Sequence, residues 1–274
     1  MRITLLGTGD TTGTPTVGCD CETCERARSR GIERSRFSVH VACERTGKAL
    51  LIDASPDFRH QFLTHDVVLP DAAIITHIHF DHLDGLGNVF RLRRSLPVFA
   101  SGERDEVTGM SVAETINDRY DYLQAVDVHP VEAYEPFEIG GLRGQLLPVR
   151  HPPLVSYGLV LEDPETGARV GLTGDTNFDV PEHSKEALRG VDLLLADAIA
   201  PASFAERHPA GGDHYDADGT ARTFGNKHMT REGALALAEE LDVGEVRLVH
   251  SSHFYPPDEA FEEPLAVDGE RIQI

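Results

Sequence analysis

The sequence predicts an α/β fold in which two β-sheets pack together and helices cover their outer faces. Short apolar runs alternate with amphipathic stretches along all 274 residues, without a repeat or a low-complexity tract. A chain of this length can still share one core, so we expect a single domain over residues 1–274. Hairpins among the strands, with helices interspersed late in the chain, favour two packed sheets.

Eight short apolar runs are predicted strands. They are Arg2–Leu6, Phe37–Cys43, Ala49–Asp53, Ala72–Thr76, Ser156–Leu161, Val170–Thr173, Val191–Ala196 and Val246–Val249. Four amphipathic segments are predicted helices, at Asp57–Thr64, Asp84–Arg94, Val112–Tyr122 and Arg231–Leu241. The segment Glu44–Lys48 contains Thr46-Gly47 and predicts a hairpin turn.

The chain is strongly acidic, with a formal net charge of −21 and only three lysines, Lys48, Lys185 and Lys227. An acidic surface disfavours long nucleic acid as a partner, because binding a phosphate backbone needs clustered basic residues. Excess carboxylate with scarce lysine favours adaptation to high salt, a halophilic character, where screening shortens charge repulsion. Ordinary acidity is the alternative.

No apolar run approaches the roughly 20 residues that a membrane span needs, so we expect a soluble protein without a membrane partner. The segment Met1–Gly9 has a short apolar run and no small-residue cleavage site. It therefore indicates a first strand rather than a signal peptide, and the expected location is the cytoplasm.

The segment His77-Ile-His-Phe-Asp-His82 places four ligand-type side chains within six positions, directly after an apolar run. At a strand end His77 and His79 fall on one side with a period of two, and the following turn brings Asp81 and His82 to a neighbouring point. Two adjacent metal sites can therefore share this segment. A histidine-rich surface turn is the alternative.

Three more ligand-type residues follow apolar runs elsewhere in the chain: His151, Asp175 and His250. Isolated ligands at the exits of buried strands allow a sheet edge to assemble a site from distant sequence. Imidazole suits zinc, and the carboxylates widen the choice toward manganese or iron. Asp197 ends another predicted strand and could orient a ligand histidine, or be a plain strand-end carboxylate.

Three of the four cysteines, Cys19, Cys21 and Cys24, fall within the short insert 17–26. In a chain without an export signal, such clustering is typical of metal binding rather than of disulfides. Three thiolates and one imidazole would complete a closed tetrahedral shell for a structural zinc. A reduced, metal-free loop is the alternative. Cys43 could compete as a ligand, but its apolar alternating run predicts a buried core thiol.

Residues 201–229 are polar and rich in Gly, Asp and His, which predicts a long functional loop or lid. Two of its histidines, His208 and His214, could contact substrate or lie at the surface.

The H-x-H-x-D-H segment, a later single His, a Gly-Asp after a strand and a late His resemble the metallo-β-lactamase superfamily over nearly the whole chain. The resemblance implies an αββα sandwich of two mixed β-sheets flanked by helices. It implies seven ligands for two ions: His77, His79 and His151 for one, Asp81, His82 and His250 for the other, and Asp175 between them. Leu51-Ile-Asp-Ala resembles the early strand of that family, with Asp53 as its acidic residue.

Gly7-Thr-Gly and the cysteine insert are similar to the cyclic phosphodiesterases of the bacterial phosphonate-degradation pathway, of the phosphoribosyl 1,2-cyclic phosphate phosphodiesterase type. This resemblance implies a homodimer and a structural zinc held by Cys19, Cys21, Cys24 and His253. His228 matches the position of a family histidine implicated as a proton donor. A solvated loop histidine is the alternative.

These features together predict a metal-dependent phosphodiesterase. Two Zn²⁺ or Mn²⁺ ions would hold a bridging hydroxide that hydrolyses a small, cyclic phosphodiester, with Asp81 as ligand and orienter. A small anionic substrate can bind an acidic protein if the dications set the local field.

Three alternatives stay open. Ribonuclease Z resembles the chain in its Gly-Thr-Gly start and its ligands, and would act on RNA or nucleotides. Thioester or lactam hydrolysis shares the hydroxide chemistry but not the cysteine insert. A non-catalytic, metal-stabilised binding protein is the third alternative, because a fold does not settle a function.

Overall fold

The computed structural model describes residues 1–274, and its strands fall into two large sheets and one small sheet. The strands are β1 (Arg2–Gly7), β2 (Ser38–Cys43), β3 (Lys48–Ile52), β4 (Ala72–Ile75), β5 (Leu96–Ser101), β6 (Val126–Val131), β7 (Phe137–Ile139), β8 (Leu142–His151), β9 (Leu154–Glu162), β10 (Arg169–Leu172), β11 (Leu193–Asp197), β12 (Gly212–Tyr215), β13 (Ala221–Phe224), β14 (His228–Met229), β15 (Glu245–Val249) and β16 (Arg271–Gln273). The helices are α1 (Glu22–Arg30), α2 (Phe58–His65), α3 (Phe80–Leu83), α4 (Val112–Arg119), α5 (Glu182–Leu188), α6 (Ala202–Ala205) and α7 (Arg231–Glu240). None of these helices has the length and apolarity to cross a membrane.

Both large sheets are mixed. The first has the strand order β16-β1-β2-β3-β4-β5-β6, antiparallel as far as β3 and parallel from β3 onward. The second has the order β15-β11-β10-β9-β8-β7, parallel from β15 to β10 and antiparallel from there to β7. The predicted pair of mixed sheets with flanking helices is confirmed.

The second sheet is buried on both faces, and β11 shows this directly. Leu193 and Leu195 join the apolar cluster that fills the space between the two sheets. Leu194 and Ala196 join a second cluster, which lies between this sheet and α7. Alternate side chains of a strand point to opposite faces, so one strand supplies both layers. Each fully buried leucine contributes ~1.5–3 kcal/mol.

Strands of both sheets end at one edge of the sandwich, and the candidate ligands follow these ends. His77 lies two residues after β4, Asp175 three residues after β10, and His250 directly after β15. His151 is the last residue of β8. The carboxyl ends of parallel strands meet at one edge, which is where an open sheet places its ligands.

All eight predicted strands are present, with small shifts at their ends. The sequence does not predict the other eight strands. Two of these, β6 and β8, each contain a proline, Pro130 and Pro148, and proline removes a donor from the ladder. β6 tolerates its proline as an edge strand of the first sheet. In β8, Pro148 pairs in register with Tyr157 of β9.

The predicted helix at Asp84–Arg94 is wrong. The chain forms a 3₁₀ helix over Asp84–Val89 and then an irregular turn, with Arg91 at φ 69°. Gly85 explains the departure, because its backbone packs against the Ala54 and Ser55 carbonyl groups too closely for any side chain. Tertiary contact therefore overrides the amphipathic pattern.

The predicted long loop over residues 201–229 is also wrong. This segment contains α6 and a small antiparallel sheet of the order β12-β13-β14. Ala205 of α6 and Ala221 of β13 are fully buried against each other, with Phe224 packed on them. This small apolar core stabilises the helix and the sheet. The sequence does not indicate it, because the apolar residues are few and the segment is otherwise polar.

Replacing Gly85 by Ala should destabilise the fold by roughly 1–3 kcal/mol. An added Cβ would lie 2.1 Å from the Ser55 carbonyl oxygen and 2.6 Å from that of Ala54. Urea unfolding of both proteins measures the change. The matched control is Gly87→Ala in the same turn, where the nearest atom, Tyr120 Cε1, is 3.8 Å away. Wild-type stability of Gly85→Ala would contradict this account of the turn.

Candidate metal centre

Three imidazole rings converge where β4 and β8 end. His77 Nε2 lies 3.0 Å from His79 Nδ1, and His151 Nε2 lies 3.2 Å from the same atom. Burial lowers the pKa of all three histidines, that of His151 to about 3, so the rings are neutral at pH 7. Neutral imidazole nitrogens are metal ligands.

Hydrogen bonds on the far side of two of these rings decide which nitrogen carries the proton. Thr76 Oγ1 donates to Asp53 Oδ2, so it accepts from His77 Nδ1, which lies 3.0 Å away. His151 Nδ1 donates to the Lys227 carbonyl oxygen at 3.2 Å. Each Nε2 therefore presents a lone pair to the point of convergence, and lone pairs at this spacing favour a cation between them.

Asp81, His82 and His250 form a second group beside the first. Asp81 Oδ2 lies 3.5 Å from His82 Nε2 and 3.6 Å from His250 Nε2, and the two Nε2 atoms are 3.4 Å apart. All three side chains are buried. Burial alone would raise the pKa of Asp81, but hydrogen bonds from His250 and His82 hold it well below its usual value.

The two histidines of this second group differ from those of the first. Burial alone would lower the pKa of His82 and His250, but nearby carboxylates, first of all Asp175, reverse the effect. The pKa of His82 lies well above its usual value and that of His250 is about 9. Without a metal both rings carry an extra proton at pH 7, and metal ligation must displace it.

Asp175 lies between the two groups. Its Oδ2 is 3.3 Å from both His82 Nε2 and His250 Nε2, and 3.7 Å from His77 Nε2. The preceding Gly174 has φ 62°, and a Cβ there would lie 2.4 Å from the Tyr157 carbonyl oxygen. Only glycine fits this turn, which aims the carboxylate at both groups.

Asp53, directly after β3, orients the His82 ring through the nitrogen that faces away from the cluster. His82 Nδ1 donates to Asp53 Oδ2 at 2.7 Å, and the Thr76 backbone N–H donates to Oδ1 at 2.8 Å. Asp53 has φ 55° and His250 has φ 57°, in the left-handed region that only a few per cent of non-glycine residues adopt. Backbone strain of this kind collects at functional sites, where surrounding contacts hold it.

His228, the first residue of β14, lies at the side of the cluster. Its ring centroid is 4.7 Å from that of His151 and 5.0 Å from that of His250. His228 Nδ1 donates to Asp197 Oδ2 at 2.9 Å, and the Thr176 backbone N–H donates to the same oxygen at 3.0 Å. Asp197 thus orients His228, and such a carboxylate-bound histidine can transfer a proton.

The donor set of the two groups fits divalent metal ions. The ligand atoms of His77, His79, His151 and Asp175 lie within 4.8 Å of one another, and so do those of Asp81, His82 and His250. Neutral imidazoles and ionised carboxylates are ligands of zinc, manganese and iron. Buried ionised carboxylates are stable only when paired or bound to metal. These clusters support the use of a divalent metal.

Cys19, Cys21, Cys24 and His253 form a separate cluster, with their ligand atoms within 4.8 Å of one another. His253 Nδ1 lies 3.4 Å from both Cys19 Sγ and Cys21 Sγ. Cys21 is the N-cap of α1, and burial raises the pKa of Cys24 to about 11. Cys43 is buried in the core between the sheets, as predicted, and lies outside this cluster.

His208 and His214, the two histidines named above as possible substrate contacts, stay outside both clusters. His208 packs against the rings of Phe204 and Phe224, and His214 Nδ1 lies 2.8 Å from Thr223 Oγ1. Sequence reasoning misses Thr11, whose Oγ1 donates to Asp81 Oδ2 at 2.8 Å. The nearby Gly-Thr-Gly marks the loop, but no residue pattern marks a threonine as a partner of a carboxylate.

The profile of the family described as Beta-lactamase superfamily domain matches residues 48–251. The chain belongs to the metallo-β-lactamase superfamily. The chain is similar to the crystal structure of a new diphosphatase from the PhnP family. The two are 29% identical, with a TM-score of 0.76, and the match covers 99% of this chain and 97% of the diphosphatase chain. The predicted superfamily is confirmed, and the similarity to a PhnP-family structure agrees with the predicted resemblance.

Two curated relatives carry other names. A coenzyme PQQ synthesis protein B of Methylobacterium nodulans is 26% identical, over 93% of this chain and 91% of its own length. An octanoyltransferase of Porphyromonas gingivalis is 30% identical over 93% of this chain. The chain spans 47% of the length of that octanoyltransferase, about half of it.

Binding of Mn²⁺ at pH 7 should release about two protons per chain, because His82 and His250 are protonated without metal. The apparent affinity should rise with pH and level off above the His250 pKa of about 9. Calorimetry in buffers of different ionisation enthalpy measures the release. His250→Ala should release fewer protons. A binding heat that does not depend on the buffer would contradict the expected protonation.

Replacing Cys21 by Ser should remove about one zinc per chain and lower the melting temperature, because structural zinc affinity is linked to folding. Elemental mass spectrometry and thermal unfolding measure the two effects. Cys43→Ser is the matched control, since it changes a buried thiol outside the cluster and should keep the zinc. Unchanged zinc content and melting temperature in Cys21→Ser would refute the structural zinc.

Proposed function

We propose that the protein hydrolyses small phosphodiesters, cyclic ones first, in a site that holds two Zn²⁺ or Mn²⁺ ions. The observation that carries the proposal is the position of Asp175 Oδ2, at 3.3–3.7 Å from ligand atoms of both groups. One oxygen with this placement suits a pair of ions. The proposed ligands are His77, His79 and His151 for one ion, Asp81, His82 and His250 for the other, and Asp175 for both.

When bound, such a pair of ions supplies hydroxide near neutral pH and stabilises charge on the phosphoryl oxygens during in-line displacement. The protein's own residues hold this arrangement. Asp53 fixes His82, and the Lys227 carbonyl fixes His151. Asp81 remains ionised and can orient the attacking nucleophile with its carboxylate. Preorganised groups of this kind reduce the reorganisation that the transition state requires.

His228 is the proposed proton donor to the leaving group. A leaving alkoxide is a strong base, so proton transfer in the transition state contributes about 10²–10⁴-fold to the rate. Asp197 supports this role, since its hydrogen bond to Nδ1 fixes the ring while Nε2 remains available for proton transfer.

Two arguments support the proposed substrate class: a small anion is compatible with the charge of the protein, and one of the relatives is named as a phosphate-hydrolysing enzyme. Dications set the local field, so a small anion can bind despite the net charge of −21. The PhnP-family relative is called a diphosphatase, which makes a phosphoanhydride the second candidate. The names of the other relatives point to acyl transfer and to cofactor synthesis, and these activities are the alternatives to test.

The first experiment combines metal content with hydrolysis of bis(p-nitrophenyl) phosphate, with and without Mn²⁺. About three metals per chain, two of them catalytic, together with turnover that His79→Ala abolishes would support the proposal. One cysteine-bound zinc and no turnover would favour a binding protein. Assays with a cyclic phosphate, a dinucleoside diphosphate, a thioester and a short RNA separate the remaining alternatives.

Replacing His228 by Ala should lower kcat about 10²–10³-fold for 2′,3′-cyclic AMP, whose leaving group is an alkoxide. The loss should be much smaller for bis(p-nitrophenyl) phosphate, because p-nitrophenolate leaves without protonation. Steady-state kinetics on both substrates test this difference. His214→Ala, in the same small sheet, is the control and should match wild type. An equal loss on both substrates would exclude His228 as the proton donor.

A further inference from the structure

Thr11 touches the proposed metal centre from the loop after β1. Its hydroxyl donates to Asp81 Oδ2 at 2.8 Å. The same carboxylate oxygen faces His82 Nε2 and His250 Nε2, at 3.5 and 3.6 Å. A carboxylate oxygen has two lone pairs, so it can accept from Thr11 and still present the other lone pair to the two histidine nitrogens.

Hydrogen bonds that do not involve Asp81 hold the loop that carries Thr11. Asp10 Oδ1 accepts from the backbone N–H groups of Thr12 and Gly13, both at 3.0 Å, and so closes an Asx turn around Thr11. Arg36 Nε donates to the Thr11 carbonyl oxygen at 3.0 Å, and its guanidinium pairs with Asp57 at 2.9 Å. The backbone of Thr11 is therefore fixed independently of Asp81.

The same loop is tied to the strand end that carries His250. The Ser251 backbone N–H donates to the Thr8 carbonyl at 2.9 Å, and the Asp10 N–H donates to the Ser251 carbonyl at 3.3 Å. Backbone hydrogen bonds thus join the segment that carries Thr11 to the segment that carries His250, and the Asp81 carboxylate faces both side chains. A hydroxyl on a fixed frame selects one orientation of the carboxylate that it binds.

We propose that Thr11 is a positioning residue of the metal centre, which holds Asp81 Oδ2 toward the two histidines. The inference rests on the proposed function, since it assigns Asp81 to a metal. Without the Thr11 hydroxyl the carboxylate turns about its last bond, and the group of three ligands loses its geometry. The side chain acts through Asp81 and is not itself placed on the substrate.

Replacing Thr11 by Val keeps the shape and removes the hydroxyl. Affinity for the Mn²⁺ ion that Asp81, His82 and His250 would hold should fall about tenfold, as it does when other hydrogen-bond partners of metal ligands are removed. Calorimetry without substrate measures this affinity. The kcat for bis(p-nitrophenyl) phosphate should fall with it, while KM stays close to wild type. Thr11→Ser restores the hydroxyl and should recover both metal affinity and kcat.

Thr12→Val is the matched control. Thr12 Oγ1 donates to Asp10 Oδ1 at 2.9 Å and belongs to the same turn, but it makes no hydrogen bond to Asp81. Wild-type Mn²⁺ affinity of Thr11→Val, or an equal loss in Thr12→Val, would overturn the role of the Thr11 hydroxyl. If the wild-type protein hydrolyses no phosphodiester, the proposed function fails, whereas the metal-binding comparison still decides the role of Thr11.

Discussion

The buried carboxylate of Asp53 is the group on which the geometry of the whole site depends. It accepts from the Thr76 backbone, from the Thr76 hydroxyl and from His82 Nδ1, and Thr76 in turn accepts from His77. One side chain behind the cluster therefore sets the ring orientation of a histidine in each ligand group. A fully buried carboxylate is stable only with such partners, so strand pairing and ligand orientation stabilise each other.

The electrostatics of the cluster follow from this dense packing. His77, His79 and His151 are neutral because burial lowers their pKa values, whereas the ionised carboxylates that face His82 and His250 raise the pKa values of these two rings. The metal-free site is thus asymmetric. The group of His77, His79 and His151 presents lone pairs directly, whereas His82 and His250 must first release protons. Metal binding by the second group should therefore depend more strongly on pH.

The segment after β15 joins the two candidate centres. His250 lies in the histidine and aspartate cluster, and His253, three residues later, lies in the cysteine cluster. Phe254 stacks on Phe204 of α6 at 4.1 Å, and the Phe204 ring lies 5.8 Å from that of Phe224 in β13, in the small sheet that carries His228. An aromatic contact next to His253 therefore connects the segment after β15 with α6 and, through Phe204, with the small sheet.

The sequence by itself determined eight of the sixteen strands, the H-x-H-x-D-H segment and the choice of later ligand-type residues, because buried strands and strand-end histidines and aspartates leave local patterns. It did not determine the 3₁₀ turn at Gly85, the small sheet over residues 201–229 or the contact of Thr11 with Asp81. Each of these depends on a neighbour distant in the chain. The family resemblance implied that Asp175 lies between the two groups, but only the tertiary structure decided its distances to them, since strands of both large sheets end at one edge. Tertiary structure alone decided that Asp197 holds His228, because β11 and the small sheet are separate in the chain and meet only in the fold.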